Sequence, residues 1–369
     1  MGGFERVMLK IAQHYEAPIL TLEYSPKTTF PEFKELDIRV IGKSVPLAGM
    51  LPYRAHQGLR YGYNFYNMKI TEDYDVINAH VSPSEWIRHR NPRVLWYCHT
   101  PPREVYDLYK ERMWNRSFKE KLIYSAMAKT YKLIADRVVR KIEFIAANSG
   151  NTRERVKRYF GRDSTVINPG VEYERFGSEG DGKYFFYPSR ILPNKRQDYV
   201  ISAFKRFERE SGRNYRLVLA GTLSKDPEHL AYYEKLKKSI GNSRIEIKTN
   251  INDRQLRALY SRSTSVLFAA INEDYGYIPL EGMASSKPVI SVNEGGPMET
   301  IMDGKTGFLV GSYNQMAEKM KWTAEHGSEA EKMGARGRKR VIENYSWEVF
   351  FRKFDKALAS VKKAGDGKG

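Results

Sequence analysis

Short apolar runs alternate with helical patterns through this chain of 369 residues, and that alternation limits its fold more than any other feature. Strands separated by helices pair in parallel, and parallel strands buried on both faces read as near-continuous apolar runs. The first series predicts strands at Pro18–Glu23, Asp37–Ile41, Asp75–His80, Arg93–His99, Glu143–Ala147 and Thr165–Asn168. Helical patterns cover Glu5–Tyr15, Ser117–Arg140 and Thr152–Phe160. A Gly/Ser/charged segment, GSEGDGK at 177–183, then breaks the pattern as a linker would. The second series runs Tyr184–Pro188, Arg216–Ala220, Arg244–Lys248, Ser265–Ala269, Pro288–Val292 and Phe308–Val310. The length exceeds one ordinary core. The reading is α/β with two domains, 1–176 and 177–345, followed by a terminal segment, 346–369. Its helix, from about Trp347 to Lys362, carries Trp347, Phe350, Phe351, Phe354 and Leu358 at helical spacing, and its AGDGKG tail frays.

Chemistry concentrates in INEDYGYIPLEGMASSKPVISVNEGGPMET, residues 271–300. Two carboxylates, Glu273 and Glu281, flank a glycine-containing turn that opens a helix at about Tyr277. Glu273 lies in the loop before the helix and Glu281 on its first or second turn. Unpaired N–H groups and the positive end of the helix dipole make such a turn an anion site, most often for phosphate. Two Glu eight apart mean little alone. Here an apolar run precedes them, and KPVISVN then leads into a second glycine turn, Gly295-Gly296-Pro297. Successive strand–loop–helix units of this kind form ligand crevices in α/β sheets. Carboxylates beside a phosphate pocket suit a nucleotide sugar.

Composition narrows the class. Apolar residues at 41% exclude a disordered chain, and no apolar run is long enough to cross a membrane. No signal peptide is visible, and the single cysteine, Cys98, excludes an internal disulfide and a cysteine-based zinc site. The expected compartment is the cytosol. Lys and Arg outnumber Asp and Glu 62 to 44, a net charge of +18 that suits an anionic membrane, an anionic substrate or nucleic acid. No zinc-finger or RNP-type motif supports nucleic acid.

These motifs resemble glycosyltransferase family 4, retaining enzymes of the GT-B fold with an E-x7-E signature. The resemblance runs from GGFERV at the start through WYCHTPPR (96–103), SRILPNKRQDYVISAF (189–204), LVLAGT (217–222) and LRALYSRSTSVLF (256–268) to GGPMETIMDGKTGFLV (295–310). It implies two Rossmann-like domains facing across a cleft, with the final helix crossing back onto the first. It further implies that Arg190 and Lys195 contact the donor diphosphate, and that Gly2 and Gly3 form a close anion-binding turn. Glu273 would hold the transferred sugar with backbone N–H groups of Asp274, Tyr275, Gly276 and Tyr277, and Glu281 would hold the ribose. His99 would face the sugar near its sixth carbon, and the base would lie near Lys248–Ile251. Catalysis would need no metal or other cofactor, the leaving phosphate oxygen taking the acceptor proton. GGPMET and HTPPR most resemble α-mannosyltransferases that use GDP-mannose on lipid-linked or polysaccharide acceptors. UDP-sugar donors, a non-catalytic basic binding module, and an epimerase or phosphorylase of the same fold are the alternatives.

Three further points qualify this reading. Relatives carry an apolar strand before Gly-Gly, whereas Met1 precedes it directly here, so a truncated or misassigned start is expected. Asp73-Tyr74-Asp75 has the D-x-D form of metal-dependent transferases, but it leads into a strand and is read as a decoy. Finally, 112–141 mixes Trp114, Phe118, Leu122, Ile123 and Tyr124 with Arg112, Arg116, Lys119 and Lys121. That mixture suits peripheral attachment to an anionic cytoplasmic membrane face; the alternative is a helix whose apolar face joins the core.

Overall fold

The computed structural model describes residues 2–42, 53–114 and 116–366, so Met1 and the end of the expected frayed tail lie outside it. It separates into two compact units, Met1–Asn168 with Phe351–Gly369, and Pro169–Phe350.

In the first unit, β1 (Ile19–Thr21) and β2 (Ile38–Val40) form a two-stranded parallel sheet. A second parallel sheet runs β3-β4-β5-β6, from Ile77–His80, Val94–Cys98, Phe144–Ala147 and Thr165–Val166. Among the described residues no strand joins the two sheets. The helices that accompany them among the described residues include α1 (Gly3–Tyr15), α2 (Tyr53–Asn67), α3 (Tyr109–Trp114), α4 (Phe118–Val139) and α5 (Gly150–Phe160). Every residue of β4 is buried, and Trp96 packs with Ala135 and Val139 of α4 and Val156 and Phe160 of α5. Cys98 is buried within that core.

The second unit holds six parallel strands: β7 (Tyr184–Pro188), β8 (Arg216–Gly221), β9 (Ile245–Thr249), β10 (Ser265–Phe268), β11 (Val289–Val292) and β12 (Gly307–Val310). Their order is β12-β11-β10-β7-β8-β9. The chain therefore builds outward from β7 in one direction and then returns to build in the other. At such a reversal the loops leaving neighbouring strands diverge and open a crevice at the carboxyl ends. Helices α6 (Gln197–Ser211), α7 (Pro227–Ile240), α8 (Asp253–Arg262), α9 (Tyr277–Ala284) and α10 (Pro297–Thr300) connect successive strands, and α11 (Tyr313–Glu325) and α12 (Gly327–Asn344) follow β12.

The unit boundary falls earlier than the glycine-rich linker. Val171 N–H donates to Tyr345 O at 2.8 Å, and Tyr275 Oη donates to Pro169 O at 2.6 Å. The 177–183 segment is itself stitched to this unit: Glu179 N–H and Gly182 N–H donate to the carbonyls of Ser261 and Arg262. Composition marked the flexible-looking stretch, whereas hydrogen bonding decides which unit holds it.

The last helix, α13 (Trp347–Asp366), buries Phe350, Phe354, Ala357 and Val361 along one stripe. From Phe351 onward it packs within the first unit. There Phe351 stacks on His14 at 3.7 Å between centroids, and Tyr15 Oη donates to Asp355 Oδ1 at 2.7 Å. Each fully buried Phe contributes about 1.5–3 kcal/mol through apolar burial.

Candidate functional site

Three loops leave the carboxyl ends of the adjacent strands β7, β10 and β11, and they bring together most of the residues expected to bind a donor. The loop after β7 carries Arg190 and ends in a single 3-10 turn, Pro193–Lys195. Tyr187 Oη donates to Lys195 O at 2.5 Å, fixing that turn to its own strand. The Lys195 ammonium then reaches Glu273 Oε2 in the loop after β10, also at 2.5 Å. Next to it Arg196 adopts a left-handed backbone (φ 49°) and spans the same gap: its Nε donates to Ala269 O at 2.7 Å and its guanidinium pairs with Glu294 at 2.8 Å. Glu294 also accepts from Asn272 N–H at 3.2 Å, which ties in the loop after β11.

The Glu273 loop rests directly on glycine. A Cβ on Gly295 would lie 2.3 Å from Glu273 O, and one on Gly296 would lie 2.2 Å from Tyr275 O, so neither position admits a side chain. Gly296 N–H donates to Glu273 O at 2.8 Å. The second glycine turn, placed by sequence beside the site, is thus the floor that holds Glu273 in position.

Helix α9 begins at Tyr277, as the spacing predicts, because Gly276 takes φ 88° and offers no side chain to cap it. Its first N–H groups and its dipole are directed into the loop holding Asp274 and Tyr275. Tyr275 is buried, and Tyr277 meets it edge-to-face at 5.3 Å. Glu281 sits on the second turn, 7% exposed, and accepts from Tyr260 Oη at 2.8 Å. Tyr260 itself is fully buried on α8. The sequence reading missed this partner, and nothing in the spacing of Tyr260 signals it.

Charge in this crevice is mostly internally matched: Lys195 with Glu273, Arg196 with Glu294. Arg190 is the exception. It is exposed, and among the described residues no carboxylate pairs with its guanidinium.

The remaining expected residues lie in the first unit. Gly2 caps α1 in an extended conformation, and its N–H donates to the Glu5 carboxylate. An internal carboxylate therefore already accepts from the turn expected to bind an external anion. His99 follows β4 and lies 3.0 Å (Nε2) from Nδ1 of His80. His80 also escaped the sequence reading, although both histidines end neighbouring strands at the same sheet edge. Of the D-x-D pair, Asp75 forms an ion pair with Lys362 at 2.9 Å, which holds its carboxyl below the usual range. Among the described residues no group of His, Cys, Asp and Glu is arranged to hold a metal ion.

Comparison with known proteins bears on the family and the fold. Residues 1–175 match Glycosyltransferase Family 4, and residues 172–340 match Glycosyl transferases group 1. Alpha-1,3/1,6-mannosyltransferase ALG2 of Mus musculus is 28% identical, over 95% of this chain and 91% of the relative. The Homo sapiens protein of that name is 26% identical over the same shares. Trehalose synthase of Pyrococcus furiosus is 32% identical, over 47% of this chain and 43% of its own. Among solved structures, Anabaena Alr3699/HepE in complex with UDP and glucose superposes with a TM-score of 0.74 at 17% identity, covering 97% of this chain and 96% of that one. Sucrose-phosphate synthase of Thermosynechococcus elongatus gives 0.73 at 17%, covering 97% and 92%. The shared fold is GT-B.

Proposed function

We propose a specific reaction from the premise that this chain belongs to glycosyltransferase family 4: retaining transfer of mannose from GDP-mannose to a glycan acceptor on a lipid or polysaccharide. The observation that carries this reading is the joining of Lys195 to Glu273 across the ends of β7 and β10, beside the open start of α9. A diphosphate leaving group needs fixed positive charge, and here Arg190, Lys195 and the α9 N-terminus supply it. Glu273 accepts from hydroxyls of the mannosyl group, with backbone N–H groups of residues 274–277 beside it. Glu281, already oriented by Tyr260, accepts from the ribose hydroxyls. His99 is assigned to the mannosyl group, and Gly2 and Gly3 to the phosphates, the Gly2 N–H being available once the Glu5 carboxylate yields it. No metal enters: developing charge on the diphosphate falls on side chains and helix dipole, and the leaving oxygen takes the acceptor proton.

Likeness to ALG2 mannosyltransferases over nearly the whole chain supports the sugar and the acceptor class. The second reading is a UDP-sugar donor, favoured by the UDP-bound HepE structures of the same fold. Thermal stabilisation by GDP, UDP and ADP, followed by turnover of GDP-mannose and UDP-glucose, decides between them. Stabilisation and turnover confined to the uridine ligands would overturn the GDP-mannose assignment.

The proposed acceptor class goes with attachment at a membrane surface. Among the described residues no helix is long and apolar enough to cross a membrane. Trp114 and Phe118 are each 83% exposed and Leu122 66%, while the apolar residues that α4 buries lie from its middle onward, at Ala128, Ala135, Val138 and Val139. Exposed aromatics with Lys119, Lys121 and Lys129 nearby support attachment of this segment to an anionic cytoplasmic membrane face.

A further inference from the structure

A chain of three hydrogen-bonded side chains closes the carboxyl ends of β3 and β4. Asn78 and His80, two apart on β3, share one face of the sheet. His80 is in register with Tyr97, and His99, two residues beyond Tyr97, continues the same face. Asn78 Oδ1 lies 2.6 Å from His80 Nε2, and His80 Nδ1 lies 3.0 Å from His99 Nε2. The Asn78 amide N–H donates to Leu95 O at 3.2 Å, which turns its oxygen toward His80.

This arrangement dictates where the protons sit. An amide oxygen is an acceptor only, so His80 carries its proton on Nε2. A neutral imidazole has one N–H, so His80 Nδ1 is bare and accepts from His99 Nε2–H. Both rings are neutral at physiological pH. Burial pushes His80 down to about 3, and burial together with neighbouring His80 pushes His99 well below its ordinary value.

We propose that Asn78 and His80 are positioning residues that lock His99 in its Nε2–H form, leaving Nδ1 to accept from a hydroxyl of the transferred sugar. The proposal rests on reading His99 as facing that sugar. The hydrogen bond made by one ring nitrogen sets what the other can offer, and a ring free to change tautomer would present a donor in place of an acceptor.

Imidazole ¹⁵N NMR of the full chain with labelled histidine tests the tautomer without any substrate, the His99 signal being assigned by its loss in His99→Gln. The wild type is expected to carry the proton on Nε2 alone; protonation at Nδ1 overturns the proposal. His80→Leu should shift His99 to a mixture of tautomers, and His80→Gln, whose amide both donates and accepts, should preserve the wild-type signal. In turnover of GDP-mannose with an α-mannoside as acceptor, His80→Leu is expected to lower kcat about 10- to 100-fold through misplacement of His99. GDP affinity and donor KM should stay near wild type, and His80→Gln should restore most of the rate. If His99→Gln turns over like wild type, the placement of His99 at the sugar fails. If His99→Gln is impaired while His80→Leu is not, that placement survives and the positioning role is overturned.

Discussion

The Lys195 ammonium lies 2.5 Å from the Glu273 carboxylate, so the expected phosphate contact and the expected sugar contact are one ion pair. An arriving diphosphate has to draw on the remaining N–H groups of Lys195 while Glu273 keeps its partner. Lys195→Ala therefore removes a phosphate contact and also one ion-pair partner of a partly buried carboxylate, at a cost of about 1–3 kcal/mol. Calorimetry should show that Lys195→Ala loses far more affinity for GDP than for guanosine. Arg190→Ala, lacking an internal partner to strand, should show the same preference with unchanged thermal stability. Parallel losses for the two ligands would contradict a phosphate role.

Glu281 and Glu273 should separate cleanly in kinetics. Glu281→Ala is expected to weaken GDP binding by about 1–3 kcal/mol for each unmade hydrogen bond. Tyr260→Phe should weaken it less, since it removes only the contact that orients Glu281. Glu273→Ala should instead abolish turnover with GDP affinity retained. Glu281→Ala should bind 2′-deoxy-GDP as well as GDP; continued discrimination between them would place the ribose elsewhere.

The strands were legible because central parallel strands are buried on both faces: YFFYP and VLWYC are apolar throughout, and both are wholly buried. The start of α9 was legible through Gly276. Helix α2 was not, for a physical reason. Its inward positions include Gly62 and Asn64, and a Cβ on Gly62 would come within 2.7 Å of Trp86. A helix that packs through a glycine and an asparagine shows no apolar stripe. The partners Tyr260 and His80 were hidden because they meet Glu281 and His99 through tertiary packing and cross-strand register, neither of which leaves a local pattern.

Activity should survive EDTA. The D-x-D aspartate Asp75 is held by Lys362, and diphosphate charge is met in the proposed mechanism by Arg190, Lys195 and the α9 N-terminus. Loss of turnover in EDTA with recovery on adding Mg²⁺ or Mn²⁺ would require a metal-assisted mechanism.

Vesicle flotation tests membrane attachment. Binding to vesicles containing phosphatidylserine should be strong at low salt and weaker at high salt, each nearby Lys or Arg adding about 1 kcal/mol before screening. Trp114→Ser with Phe118→Ser should weaken it at every salt concentration. Arg112→Glu with Lys119→Glu should act mainly at low salt, tempered by the contact of Arg112 with Glu104 at 3.3 Å. A protein that never floats with anionic vesicles would confine the enzyme to solution.

The most direct measurement is ¹H NMR of the product formed from GDP-α-mannose and a mannoside acceptor by the wild type and by Glu273→Ala. The account predicts a new α-linked mannosyl signal in the wild type and none in the variant. A β-linked product would contradict retention, and an unimpaired variant would remove Glu273 from the centre of the reaction.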